Sequence, residues 1–202
     1  MLKFEGMKIG FALTGSHCTL DEVFEVIQGL VDEGADIVPI MSDVVNTMDT
    51  RFGKAEQWRK RCVDICGKEP LCTITDVEPI GPQRALDCLV IAPCTGNTLA
   101  KLANSITDSP VLMAAKAQMR NLGPVVLAIA TNDGLGGNAK NIGMLLSQKN
   151  VFFVPFGQDN PWQKANSLIA HMRKIPETVF FACQRKQIQP ILEDFLAQVA
   201  NG

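Results

Sequence analysis

The sequence predicts a three-layer α/β/α fold, a doubly wound parallel sheet of the flavodoxin-like or Rossmann-like kind, and three observations carry that expectation. The strand candidates are apolar throughout rather than alternating, as strands covered on both faces must be. They are interleaved with stretches of helical period, the β-α-β pattern whose crossovers are right-handed and whose strands run parallel. The 202 residues, 47% of them hydrophobic, suffice for one core, so a single domain over 1–202 is expected.

Taken in order, MKIGFAL at 7–13 reads as a buried strand, followed by the turn Thr14, Gly15, Ser16, His17. Thr19 and Glu22 have the spacing of a capping box ahead of Val23, Ile27, Leu30 and Val31, and Gly34 closes that helix. ADIVPIM at 35–41 is the second strand. Residues 42–68 are polar, with Arg51, Lys54, Arg59, Lys60 and Arg61 around Trp58, and read as a loop and then a helix. Residues 71–82 carry no clear period. ALDCLVIA at 85–92 is the third strand, followed by a helix over 98–106 and another that Asp108 and Pro110 start and that runs through Met119. VVLAIA at 125–130 is a buried strand, and the glycine-rich loop 131–138 places Asn138 to cap a helix over 139–148. VFFVP at 151–155 reads as the last strand. Helices are expected over 161–174 and 176–186, with Pro190 kinking or breaking a further run to 199.

The charge balance, Lys+Arg 19 against Asp+Glu 21, gives a formal net charge of -2. That is no field for drawing a protein onto nucleic acid or an anionic membrane, so neither partner is expected. No stretch reaches the ~20 apolar residues of a membrane span. Lys3, Glu5 and Lys8 interrupt the opening as no signal peptide would be interrupted. A cytoplasmic location follows as an expectation, and the seven cysteines read as reduced thiols. Cys62, Cys66 and Cys72 lack the paired C-x2-C spacing of a zinc site, and neither histidine is near them, so no metal is expected. Cys62 and Cys66, four apart, suit the buried face of a helix.

Ligands of open α/β sheets bind outside the carboxyl ends of the strands. After the first strand, Ser16 and His17 stand where a triphosphate-binding loop needs Lys and Ser or Thr, and G-x-G-x-x-G is absent. Gly15 and Ser16 ahead of a helix can still offer N–H groups and a hydroxyl to one phosphate. The second strand ends on Ser42, with Asp43 one place late for a ribose diol. After the third, Thr95, Gly96, Asn97 and Thr98 bring hydroxyls and an amide to a helix N-terminus. Each turn alone would also serve as a plain link or cap. Three of them at one sheet edge point to a phosphate-bearing ligand.

The run Ala92-Pro93-Cys94-Thr95-Gly96-Asn97-Thr98-Leu99-Ala100-Lys101-Leu102-Ala103 resembles the A-P-x-[ST]-x-N-T-[IL]-A-K-[IL]-A motif of the homo-oligomeric FMN-binding flavoproteins. That family includes phosphopantothenoylcysteine and lantibiotic cysteine decarboxylases and flavin prenyltransferases. The opening, residues 9–16, and Ser42 extend the likeness. The resemblance implies FMN as cofactor, held by Gly15, Ser16, His17, Ser42, Thr95, Gly96, Asn97, Thr98 and Asn132. It also implies a trimer or dodecamer. His17 has the chemistry of a base beside the cofactor, and in a turn also that of a surface or capping residue. Where the decarboxylases carry P-x-M-N-x-x-M, this chain has Ala130-Thr131-Asn132-Asp133-Gly134, in which Asn132 alone corresponds, and their C-terminal substrate-binding cysteine loop has no counterpart. Residues 130–134, 139–143 and 153–159 resemble one branch of the family, whose members act on a small dicarboxylate beside a partner protein that carries NAD(P).

Three functions stay open on this reading. They are one half of a two-part oxidoreductase, a stand-alone FMN decarboxylase or prenyltransferase, and a non-catalytic phosphate-ligand module that stabilises its partner. No catalytic residue is singled out. Cationic side chains for a dianionic substrate are sought at Lys140 and at Arg51 or Lys54, and the apolar stretch 111–115 is a candidate oligomer contact.

Overall fold

The computed structural model describes residues 3–194. The chain runs β1 (Lys8–Leu13), α1 (Leu20–Asp32), β2 (Asp36–Met41), α2 (Asp43–Thr47), α3 (Ala55–Cys66), α4 (Ile74–Val77), α5 (Ile80–Gln83), β3 (Cys88–Cys94), α6 (Gly96–Ala103) and α7 (Pro110–Arg120). It continues through β4 (Val125–Thr131), α8 (Ala139–Leu146), β5 (Val151–Phe153), β6 (Phe156–Gly157), β7 (Leu168–Ala170) and α9 (Ile175–Cys183). Strands β2, β1, β3, β4 and β5 lie side by side in that order, all parallel, which is the flavodoxin-like arrangement. Helices α1 and α9 pack on one face, α6, α7 and α8 on the other. This double cover is why the strands need no polar side: Phe11, Leu13, Val90, Ile91, Leu127 and Ile129 are wholly buried. On the β2 side α3 leans on α1 through a stacked Phe24–Trp58 pair, ring centroids 5.8 Å apart, with the Arg61 guanidinium 4.4 Å from the centre of the Phe24 ring. Gly34 follows α1 at φ +92°, as its position after the last periodic residue predicts.

The sheet departs from the all-parallel expectation at one edge. Strand β4 pairs with β5 only as far as Leu127, so its carboxyl half would be left open. The chain returns and fills that edge: β7 pairs antiparallel with β4 (Ala130↔Ile169, Thr131↔Leu168) and β6 pairs with β7. The seven-stranded sheet is therefore mixed, β5 is not the last strand, and the helix expected over 161–174 is a strand, a turn and the short 3-10 segment Met172–Lys174. An unpaired strand edge outweighs the local pattern there. Past Pro190, Ile191 and Glu193 bond back to Phe156 instead of continuing a helix; the remainder of the run expected to reach 199 lies outside the described residues.

Smaller differences have local causes. Thr19 forms no capping box: a 3-10 turn, His17–Thr19, runs straight into α1, and the Thr19 hydroxyl donates to Ser16 O at 2.9 Å. Asn138 precedes α8 without capping it, because its side chain is engaged by Asp133. The polar segment after β2 holds the short α2 before α3. Strand β3 begins at Cys88, and α6 begins at Gly96, two residues before the expected start. In α3, Cys62 is fully buried and Cys66 half-buried. Burial pushes the Cys62 thiol well up and the Cys66 thiol to about 11, so both are inert as nucleophiles.

Candidate functional site

The carboxyl ends of β1, β2, β3 and β4 open on one edge of the sheet, and a buried threonine joins the turns after β1 and β3. Thr14 Oγ1 donates to Pro93 O at 2.6 Å and accepts from the Thr95 amide at 3.1 Å. This bridge holds the turn after β1 against the turn after β3. Two adjoining clefts result, of about 340 and 420 Å³, with Gly15, Thr95 and Asn97 in the wall of both.

The first cleft is floored by Ser42, Thr95 and Thr98. Thr95 caps α6: its Oγ1 accepts from the Thr98 amide at 3.3 Å and lies 3.0 Å from Thr98 Oγ1. The earlier amides of that first turn have no partner within the helix and carry the positive end of its dipole. Ser42 is held by its own amide, which donates to Leu13 O at 3.0 Å, while its Oγ is buried with no hydrogen-bond partner among the described residues. A buried hydroxyl left so costs ~1–3 kcal/mol, a cost that a bound acceptor would remove. Lys101 also lines the cleft and is paired with Asp108 at 2.7 Å; Asp43 is a second carboxylate on the rim. The donors fit an anion held mainly by hydroxyls and backbone N–H groups, a phosphate above all.

The second cleft is built on β4 and the β6–β7 arm. Asp133 accepts from Thr131 Oγ1 at 2.5 Å and from Asn138 Nδ2 at 2.9 Å on each oxygen, and Asn138 accepts from Asn141 at 2.8 Å. The bonds from Thr131 and Asn138 hold the Asp133 carboxyl below the usual carboxylate range. This network presses on α6 so closely that a Cβ on Gly96 would lie 2.5 Å from Thr131 Oγ1 and 2.6 Å from Asn138 Nδ2. Opposite, the arm contributes Asp159, Lys164 and Ser167. Burial disfavours ionisation of Asp159, but the neighbouring Ser167 hydroxyl and Lys164 ammonium outweigh it and keep the carboxyl below its ordinary value.

Of the nine residues expected to hold the cofactor, eight line these clefts: Ser42 and Thr98 the first, Ser16, Gly96 and Asn132 the second, and Gly15, Thr95 and Asn97 both. His17 lines neither; it is buried under the turn, its Nδ1 3.2 Å from Gly15 O. None of Lys140, Arg51 and Lys54 reaches a cleft. Arg51 lies over the Phe52 ring, and Lys54 heads α3 with its amide bonded to Gln57. The cations that do line the clefts, Lys101 and Lys164, are not among the residues that sequence reasoning nominates, nor are Thr14 and Asp133. Lys101 is visible inside the family motif; Lys164 gives no signal, because the arm that carries it reads as helix. The stretch 111–115 faces inward, with Val111, Leu112, Ala114 and Ala115 in the core, so it is not an exposed contact surface.

Comparison with known proteins agrees with this fold. The family model described as Flavoprotein matches residues 3–187. The B subunit of dipicolinate synthase from Bacillus subtilis (strain 168) is 52% identical over 192 residues, 95% of this chain and 96% of that protein. The crystal structure of the corresponding dipicolinate synthase B subunit from Bacillus halodurans C superposes with a TM-score of 0.88 at 48% identity, covering 95% of this chain and 98% of that one. That of the FMN-dependent cysteine decarboxylase SpaF gives 0.62 at 17% identity, covering 91% and 98%, a likeness of fold.

Proposed function

The chain belongs to the flavoprotein family, and on that premise we propose that it works as the B-type component of a dipicolinate synthase, holding FMN in the paired clefts. In this reading a dihydrodipicolinate-type precursor becomes pyridine-2,6-dicarboxylate during sporulation, in the cytoplasm of the mother cell. The partner, the A-type component of dipicolinate synthase, brings NAD(P). The similarity to dipicolinate synthase B subunits over nearly the whole chain supports the pairing. The observation that carries the cofactor assignment is the buried, unpartnered Ser42 Oγ in a cleft that the N-terminus of α6 also lines.

FMN, when bound, supplies a two-electron acceptor, which is what aromatisation of a dihydropyridine requires. The chain's own part is to bind and orient. Ser42, Thr98 and the first amides of α6 take the phosphate, and the Thr14 bridge keeps the turns after β1 and β3 at a fixed spacing. The Asp133 network keeps the second cleft open and polar beside Asn97 and Asn132. Sharing of these sites between copies in a homo-oligomer, trimer or dodecamer, belongs to the same reading.

Reconstitution tests it: each component alone and both together, with and without added FMN. Synthase activity that needs both components and rises with FMN is the expected result. A colourless B-type protein that restores its A-type partner equally well without flavin would instead make it a non-catalytic module. Turnover of a cysteine-containing substrate by this chain alone would make it a decarboxylase.

A further inference from the structure

Among the described residues, Lys164 is the one cation that lines the second cleft. Lys164, on the β6–β7 arm, lines it together with Asp133 and Asp159, neutral amides and hydroxyls. Its backbone is fixed in a tight turn: the Lys164 amide donates to Asn160 O at 2.8 Å, and the Ser167 amide donates to Lys164 O at 2.9 Å. The turn is in turn docked on the glycine-rich loop, with the Leu135 amide donating to Asn166 O at 3.0 Å. Leu168 packs so tightly there that a Cβ on Gly134 would lie 2.7 Å from it. The lysine head is held over the cleft by Asp159, Nζ to Oδ2 3.3 Å, yet its side chain stays 55% exposed. A long bond to an exposed ammonium is easily exchanged for a better one. Across the cleft, the Asn97 and Asn132 side chains make no hydrogen bond to the rest of the described chain, leaving amide donors on the other wall.

We propose that the arm side of this cleft, beside the flavin, is the seat of a small anionic substrate, a ring carboxylate, and that Lys164, which does not itself touch the cofactor, determines specificity by exchanging its bond to Asp159 for one to a substrate carboxylate. This inference rests on the proposed synthase function only for the identity of the substrate class. The site's net negative charge makes the lysine decisive: without it, Asp133 and Asp159 would face an incoming carboxylate unopposed. Asp159 is then a positioning residue, which aims the ammonium and competes mildly with the ligand.

The test is calorimetric titration of the purified chain with pyridine-2,6-dicarboxylate, pyridine-2-carboxylate and pyridine, beside a separate FMN titration of each variant. Expected is dicarboxylate binding that Lys164→Met weakens about ten-fold or more, that Lys164→Arg largely keeps, and that Asp159→Asn leaves equal or tighter, with FMN affinity the same in all three. The wild-type affinity should fall in the order dicarboxylate, monocarboxylate, pyridine. Dicarboxylate binding untouched by Lys164→Met, or absent in the wild type, would overturn the proposal. So would equal loss in Lys164→Met and Asp159→Asn, which would make the pair a brace of the arm. Failure of the wild type to bind FMN would strike the cofactor reading alone, since the carboxylate titrations are read without it.

Discussion

At the scale of single residues, the clefts keep polar groups and tight contacts that a fold built only for stability would lose. Ser42 Oγ is buried with no partner among the described residues. Ser42→Ala should therefore leave the ligand-free protein as stable or up to ~1 kcal/mol more stable; a lowered melting temperature would show that the hydroxyl has a structural partner. Gly96→Ala should act in the opposite sense. Its Cβ would meet Thr131, Asn138 and Asp133 at 2.5 to 2.9 Å, an overpacking worth ~1–3 kcal/mol and a Tm several degrees lower by differential scanning calorimetry. Asp133 has a folded-state pKa below its unfolded value, first through its bond from Thr131. Its stabilising effect is in force above the unfolded carboxylate pKa of ~3.9 and is lost as pH falls through the folded value. Wild type should thus lose stability more steeply than Asp133→Asn from about pH 5 downward; parallel curves would contradict the network. Ser42 and Gly96 can be nominated from sequence because three turns with hydroxyls or glycine end strands at one sheet edge, although each turn alone would serve as a link or cap. Thr14 cannot, since its partners lie at the end of β3 and in the turn after it; Asp133 bonds within its own loop, to Thr131 and Asn138, and its closeness to α6 shows only in the folded chain.

At the scale of elements, the long apolar strands and the helices between them are legible because each obeys a local rule, continuous apolarity or a 3.6-residue period. The arm is not. Leu168–Ala170 is three residues long, too short for any period to show, and what makes it a strand is the open carboxyl half of β4, a fact of the assembled sheet. Leu168 is the anchor of that arm, packed on Gly134. Leu168→Ala should cost ~2–4 kcal/mol and speed hydrogen exchange at the Leu135 amide, which bonds Asn166 O. An unchanged exchange rate there would mean that the arm is held by other contacts. The illegible arm is also why sequence reasoning seeks a substrate cation in the segment before α3 and on α8, when the second cleft takes its own from the arm.

At the scale of the whole molecule, the parallel core of the sheet and its double helical cover agree with what pattern and length predict, and the two clefts lie where such sheets bind ligands, beyond the carboxyl ends of the strands. Among the described residues no helix is long and apolar enough to cross a membrane. Exposed Val44, Met48 and Phe52 stand on and after α2, with Val44 itself in the wall of the first cleft, and offer a more suitable contact surface between copies than the buried 111–115 stretch. Light scattering at micromolar concentration should give a multiple of 22.0 kDa, three or twelve copies; a monomer would contradict the oligomer. FMN binding is expected at one phosphate site formed by the turns after β1, β2 and β3. Its most direct test is fluorescence titration of FMN into wild type, Ser42→Ala and Thr98→Val. Each lost hydroxyl bond to a charged phosphate should weaken binding roughly ten- to a hundred-fold. Affinity unchanged in both variants would place the flavin elsewhere and contradict the account.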